Sequence, residues 1–445
     1  MKILKSFSMV IVLGLFHQTV NARIINVPGD SLTIQRGIKG AVHGDTVLVA
    51  PGSYHENINF LGKRILLASH FILDSNRAVI DSTIIYGDAP AHPDTGSVVR
   101  FISGEDTNSV LCGFTIRGGT GTKIATPGYN LKRGGGIVCF NASPKIVNNI
   151  IANNVAYNGG GIFCWGTGAI IRSNVIKCNE AQWYDHLIGD GGGIYITHAG
   201  GVIIERNVID TNYAYAYGAG ILITFNSNGT KILNNTIIRN WVAADSGGPG
   251  AGICLYFDQN SQVRNNIVFQ NRNHAGIYSH GSDATRISFN DVSDNPSGNF
   301  QFHDGSTGLG DTSWGKNCNK TPCDSFYNII ENPLFDSIGT NFLLQCSSPC
   351  IDAGSPSDSV LPGGGRYTDI GAKEYTYVCG DANVDGKRTV SDVVFKVNYL
   401  FKGGQAPCPL GRADDNRDCA IDVSDIVYEV NYLFKGGPPP VCGGN

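Results

Sequence analysis

From residue 134 onward one pattern of apolar and polar positions recurs. A glycine triplet and an isoleucine stand at Gly134–Ile137, Gly159–Ile162 and Gly191–Ile194. The signal softens to Gly-Ala-Gly-Ile at Gly218–Ile221 and Gly250–Ile253, and to Ala275-Gly-Ile277. Between these fall paired asparagines five positions apart: Asn149/Asn154, Asn174/Asn179, Asn207/Asn212, Asn235/Asn240, Asn266/Asn271 and Asn290/Asn295. An apolar residue sits inside each pair (Ile151, Ile176, Ile209, Ile237, Val268, Val292). The period of 24 to 32 residues and the short β-rich runs predict coils of a parallel β-solenoid. Stacked Asn side chains bond from coil to coil, and glycine permits corners with φ > 0. Alternation after each triplet sends Ile137, Ile162, Ile194, Ile221, Ile253 and Ile277 inward, with Cys139 and Cys164. It sends Phe140, Phe163, Trp165, Tyr195, Tyr256 and Tyr278 outward.

The start of the chain carries Ile34-Gln-Arg-Gly-Ile38, Gly44-Asp45-Thr-Val-Leu-Val, Pro51-Gly-Ser-Tyr54 and Glu56-Asn-Ile. This run resembles the opening of pectate-lyase-like right-handed β-helix proteins, and the resemblance covers about residues 24–300. It implies that residues 31–42 form an amphipathic helix plugging the open end of the solenoid. Farther on, Asn332-Pro-Leu-Phe335, Phe342-Leu-Leu-Gln345, Ser348-Pro-Cys-Ile-Asp-Ala-Gly354, Asp369-Ile-Gly-Ala372 and Glu374-Tyr375 resemble the closing segment of exported bacterial β-helix proteins. That segment is expected to cap the solenoid, with Asp352 and Asp369 bonding turn backbone.

Three turns are swollen: 119–133, 180–190 and 241–249. All fall at the same corner of the coil, so they are expected to project from one side, where repeat proteins often bind. The outward aromatics beside them suit sugar rings, whose C–H faces pack on aromatic faces. The expected platform comprises Trp165, Trp183, Tyr195, Trp241, Tyr256 and Tyr278. Candidates for acid, base or charge-neutralising work are Glu180, Asp185, His186, Asp190 and Asp245, with Lys123, Lys132 and Arg133 as cations. Hydrolysis needs two carboxyls about a glycosidic bond, one protonated; elimination from a uronate needs a base and a cation. The short acidic motifs of polygalacturonase-like hydrolases are not visible, nor is a pectate-lyase calcium cluster. Serine hydrolase, nucleotide and zinc motifs are absent too.

The C-terminal stretch repeats a loop at a spacing of 33 residues. The first copy is Asp381-Ala-Asn383-Val-Asp385-Gly386-Lys387-Arg-Thr389-Val-Ser-Asp392, and the second runs from Asp414 to Asp425. Each leads into a near-identical helical run, VVFKVNYLFKGG or IVYEVNYLFKGG. Oxygen donors at loop positions 1, 3, 5, 9 and 12, with the carbonyl of position 7, are what a hard cation requires. The pair resembles a type I dockerin, which binds cohesin domains in cellulose-degrading assemblies, over about residues 379–442. The resemblance implies two Ca2+ sites. The first uses Asp381, Asn383, Asp385, Lys387 (carbonyl), Thr389 and Asp392. The second uses Asp414, Asn416, Asp418, Ala420 (carbonyl), Asp422 and Asp425. It also implies cohesin contact through Val390, Ser391, Val423 and Ser424, and binding in two orientations. Cys419 stands where the sharp turn wants glycine. Each helix is expected to bury one stripe: Val394, Val397, Leu400 and Phe401, and Val427, Val430, Leu433 and Phe434.

Residues 1–22 read as a secretory signal peptide, with Lys2 and Lys5, an apolar run from Met9 to Phe16 and a Val20-Asn-Ala22 cleavage site. The apolar run is shorter than the about 20 residues of a membrane span. Cleavage, by removing the two lysines, takes the formal charge from -4 to -6; no basic stripe points to nucleic acid. The 13 cysteines suit an oxidising compartment and leave an odd thiol. Local bridges are expected between Cys318 and Cys323 and between Cys346 and Cys350, with Cys379, Cys408, Cys419 and Cys442 stapling the C-terminal module.

The expected fold class is an all-β right-handed parallel β-helix solenoid with a small all-α calcium-binding dockerin-like domain. The expected division is signal peptide 1–22, β-helix with capping helix 23–300, loop-rich cap 301–376 and dockerin-like domain 377–445. The expected function is an exported, secreted or cell-surface protein that binds and degrades a polysaccharide, by hydrolase or lyase chemistry, and attaches to a cohesin-like domain on a scaffold or surface protein. The rival is a non-catalytic adhesion or structural rod.

Overall fold

The computed structural model describes residues 22–126, 129–182, 189–225, 227–243, 248–258, 260–281, 286–303, 308–337, 341–361 and 364–440. Successive coils lay short strands into three sheets of ten, nine and nine strands. The first runs from Ile24–Val27 to Arg286–Ser288, the second from Gly52–His55 to Asp291–Ser293, and the third from Ile58–Asn59 to Phe300–Phe302. A short corner sheet of Val155–Ala156, Glu180–Ala181, Tyr213–Ala214 and Trp241–Val242 lies between the second and third. Neighbouring coils pair in parallel, and register places Ile162 on Ile194, Ile221 and Ile253. The inward isoleucines, with Cys139 and Cys164, are fully buried in one continuous core.

The asparagines stack as two ladders. One runs Asn149, Asn174, Asn207, Asn235, Asn266, Asn290 and Asn328, each amide donating to the next Oδ1 at 2.9 to 3.1 Å. The other runs from Asn154 through Asn295 to Asn299. Each rung also gives its Nδ2 to a backbone carbonyl of the preceding coil, as Asn207 does to Ile171 at 2.9 Å. The expected glycine corners with φ > 0 are present at Gly134, Gly159, Gly191, Gly218 and Gly250 (φ 57 to 79), while the left-handed corner beside most rungs is the residue just before the asparagine, such as Asn148 (φ 56), Arg206 (φ 55) or Arg239 (φ 55). Glycine is also required by close approach where the corner sheet meets the third sheet: a Cβ at Gly160 would stand 2.5 Å from the Glu180 carbonyl.

The ends are closed differently. At the N-terminus a helix, Ile34–Gly40, presses Ile34 and Ile38 onto the core, and the Glu56 carboxylate accepts from the Ile34 and Gln35 N–H groups at 2.8 Å. After the third sheet the chain adds one rung, with Asn328 on the ladder and Ile329 bridged to Asp291. It then folds back along the flank as a strap. Phe335, Phe342, Leu344, Ile351 and Ile370 pack on Val208, Ile238, Ile267 and Phe269, the outward residues of the second sheet. Asp369 accepts from the backbone of Asp352 and Tyr375, as turn acids do.

The expected local disulfides do not form. Cys323 and Cys350 are free and buried, while Cys318 joins Cys419 and Cys346 joins Cys408. Burial of Cys350 against the strap's apolar cluster takes it away from Cys346; the Cys318 bridge ties the loop before the Asn328 rung, and the Cys346 bridge the strap, to the C-terminal module, in which Cys379 is disulfide-bonded as well. Replacing one ladder rung, Asn207→Ala, orphans buried groups on both neighbouring coils; it should destabilise the fold by about 2–4 kcal/mol, whereas Lys145→Ala on the outer surface should stay within about 0.5 kcal/mol. Denaturant midpoints of the two variants check this.

Candidate functional site

The swollen turns do share one corner, between the corner sheet and the third sheet. Of these, 119–133 is an antiparallel hairpin, Gly121–Thr126 with Tyr129–Arg133. The tips of the other two, with Trp183, Asp185, His186 and Asp245, lie outside the described residues. The remaining candidates separate onto two faces, because alternation along the hairpin and the corner strands turns neighbours opposite ways.

On the outer face of the third sheet lie Arg133, Asp190, Trp165, Tyr195, Tyr256 and Tyr278. Phe163, Tyr195 and Tyr278 do not form an open platform: they are buried with Val138, Leu222, Cys254 and Ile124 of the hairpin in a second apolar cluster. Arg133 is buried too, its guanidinium 5.1 Å from the Phe163 ring and 5.8 Å from that of Trp165. One Nη donates to Thr126 at 2.8 Å, and burial pushes its pKa down. Asp190 sits at the rim of this cluster. It accepts from the Tyr217 N–H at 3.2 Å and donates its own N–H to Asn158 at 3.3 Å. Burial pushes its carboxyl up to about 7; burial, then the Asp190 charge, pushes the Tyr195 phenol up to about 12.

What this face exposes is a row of rings at its edge. Trp165 stacks on His198 at 4.1 Å, Phe225 on Phe257 at 5.8 Å, and Tyr256 on His280 at 5.2 Å, with His303 5.0 Å beyond. His198, Phe225 and Phe257 adopt φ of 49, 33 and 53, conformations that bulky side chains seldom take. Sequence reasoning missed all three. Their signal was present: in other coils the position four residues after the inward isoleucine holds Asn141, Gly166 or Gly281, as a left-handed corner should.

Glu180, Lys132 and Trp241 belong to the other face, a correction to the single expected groove. Glu180, Tyr213 and Trp241 form the outward row of the corner sheet, and the last two rings are 5.5 Å apart. Lys132 is the cross-strand partner of Lys123. Both line a pocket of about 390 Å³ with Asn130, Tyr157 and Gln182, and Lys123 pairs with Asp94 at 3.9 Å.

In the C-terminal module the two loops fold alike. Asp381 accepts from the Asp385 and Gly386 N–H groups at 3.0 and 3.2 Å; Asp414 accepts from those of Asp418 and Cys419 at 3.1 Å. Positions four and six are left-handed in both: Val384 (φ 65) and Gly386 (φ 81), Arg417 (φ 64) and Cys419 (φ 65). Thr389 and Asp422 cap the helices Val390–Lys402 and Val423–Lys435 in capping boxes with Asp392 and Asp425. Ser391 and Ser424 turn toward their loops and accept from Asn383 and Asn416. Among the described residues no three His, Cys, Asp or Glu side chains are gathered as a metal set. The donors of these loops also include Asn, Thr and main-chain oxygens, a hard set that fits Ca2+.

Of the expected apolar stripes, Val397, Leu400, Val430 and Leu433 are half-buried and the rest are exposed. Val394, Phe401, Val427 and Phe434 are 51%, 63%, 51% and 65% exposed. The helices meet instead through Lys396, fully buried and ion-paired with Asp415 and, at 2.8 Å, with Glu429. Val390 and Val423 extend the exposed apolar rows.

The raised Asp190 carboxyl sets a pH dependence. An acid with a higher pKa folded than unfolded binds its proton more tightly in the fold, so its contribution falls as pH rises from about 4 to about 7. Asp190→Asn should remove part of that slope and gain about 1–3 kcal/mol over the wild type at pH 8. Parallel stability curves for the two proteins would refute it.

No curated protein and no solved structure matches the chain. The family model described as the right handed beta helix region matches residues 68–237 and, overlapping them, 132–313. Together the matches span more than half of the chain, whose parallel three-sheet coils agree with them: the chain belongs to the right-handed β-helix family.

Proposed function

We propose that this is an exported glycan-active protein, a hydrolase that holds an extended polysaccharide along the third-sheet edge and docks through its C-terminal module. The observation that carries this reading is the ring row Trp165, His198, Phe225, Phe257, Tyr256 and His280, exposed or half-exposed, running across successive coils of the sheet whose opposite edge carries Asp190. Flat rings at coil spacing offer sugar C–H faces a repeated platform. A carboxyl kept protonated up to about 7 has the state a general acid needs to protonate a leaving glycosidic oxygen. Hydrolysis is favoured over elimination because the cations are split: Arg133 is packed beneath rings, while Lys123 and Lys132 face the other side. The sequence offers Asp185 and Asp245, which lie outside the described residues, as candidates for the second carboxylate.

The module supports attachment. Two like-folded loops suit two Ca2+ ions, and two matching apolar rows, Val390, Val394 and Phe401 and Val423, Val427 and Phe434, suit a cohesin-like domain in either of two orientations. A non-catalytic glycan-binding rod is the second reading. It is favoured by the burial of Phe163, Tyr195 and Tyr278, which makes much of the aromatic stripe structural.

Incubating the mature protein with neutral and uronate-rich polysaccharides, while following reducing ends and unsaturated-uronate absorbance, tests the reading. Reducing ends alone are expected, cut by about 10²-fold or more in Asp190→Asn and with weakened polymer binding in Phe225→Ala/Phe257→Ala. Binding without turnover in every case would establish the rod. Calcium titration checks the module: two ions are expected per chain, and one in Asp381→Ala, whose first loop loses its leading carboxylate.

A further inference from the structure

The second calcium loop has the wrong residue at its sharpest turn and yet takes the right shape. In the first loop, position six is Gly386 at φ 81, with open space where a Cβ would stand. In the second it is Cys419 at φ 65, a conformation that a residue with a Cβ avoids unless its surroundings hold it there. The surroundings do. The Cys419 sulfur is bonded to Cys318, and its carbonyl accepts from the Lys320 ammonium at 2.6 Å. Its N–H then reaches Asp414 Oδ2 at 3.1 Å, as Gly386 reaches Asp381 at 3.2 Å. Cys346–Cys408 fixes the turn leading into the same loop, and Arg366 of the strap lies 3.7 Å from Asp414. Among the described residues nothing lies within 4 Å of where a Cβ at position six of the first loop, Gly386, would stand. That loop's leading Asp381 is paired within the module, with Arg412 at 3.0 Å.

We propose that Cys318 and Lys320 are positioning residues for the second calcium site, replacing from outside the conformational freedom that glycine supplies in the first. The loop that follows the third sheet thereby completes the calcium loop. The second site reaches full affinity only in the intact, oxidised chain, and the two sites of one module respond differently to loss of the Cys318–Cys419 bridge. This rests on the calcium reading above. It makes the linkage between body and module part of the metal site, so the module is not a freely tethered appendage.

The test uses the full-length mature protein and three forms: wild type, Cys318→Ser/Cys419→Ser and Cys318→Ser/Cys419→Gly. Each is titrated with calcium by calorimetry. The serine pair should lose about tenfold or more in affinity at the second site with the first unchanged, and the glycine pair should recover to within about threefold of wild type. Unchanged affinity in the serine pair, or no recovery in the glycine pair, overturns the proposal. A second readout separates this from failure of the calcium reading. In chelator, amide exchange at positions 418 and 419 should accelerate in the serine pair. If the wild type takes up no calcium at all, the calcium reading falls; exchange at those positions that matches wild type then overturns the positioning role as well.

Discussion

Backbone polar groups that point along a solenoid axis have no partner within their own coil, and each coil must hand them to the next. The Asn ladders turn this requirement into a fixed geometry, because every rung binds the preceding coil's carbonyl and the following coil's asparagine in one buried position. A coil free to change length at its ladder corners would leave several buried donors unmet, each at about 1–3 kcal/mol. Variation is therefore pushed to the corner without a ladder, where the third sheet begins, and the long turns collect there. The same requirement explains the ends. The Glu56-capped helix closes one, and Asn299 with Asn328 terminates the ladders at the other.

The functional surface follows from that restriction. A hairpin rises from one corner, which has two sides, so residues adjacent in sequence serve different surfaces. Arg133 turns under the third-sheet rings while Lys132 turns into the corner-sheet pocket. The hairpin's Ile124 packs with the inner aromatics, and burial of Asp190 at the same sheet raises its pKa. The exposed ring row stands at left-handed corners, where only tight packing of the coil holds Phe225 and Phe257 in place.

The C-terminal module inverts the usual arrangement of a helix pair. Its interior contact is ionic, through Lys396 with Asp415 and Glu429, and its apolar rows face out. A buried ion pair with both partners present adds little net stability while specifying geometry, and the disulfides to the preceding loop and the strap supply further constraint. The module thus keeps two apolar faces open without relying on them for its own cohesion.

The sequence by itself determined what depends on local repetition: the solenoid period, the inward isoleucines, the Asn rungs, the capping helix and the two twelve-residue loops. These are legible because each coil meets a copy of itself, so a contact between coils is also a pattern along the chain. Tertiary structure alone decided what depends on distant segments meeting. The strap's return over the second sheet, the Cys318–Cys419 and Cys346–Cys408 bridges, the burial of Tyr195 and Tyr278 in one cluster with the hairpin's Ile124 and the division of Glu180, Lys132 and Trp241 from Asp190 and Trp165 are of this kind. Alternation tells which way a side chain points from its own strand, but not what another part of the chain lays over it. Only the packing of hairpin, strap and module on the finished solenoid fixes that.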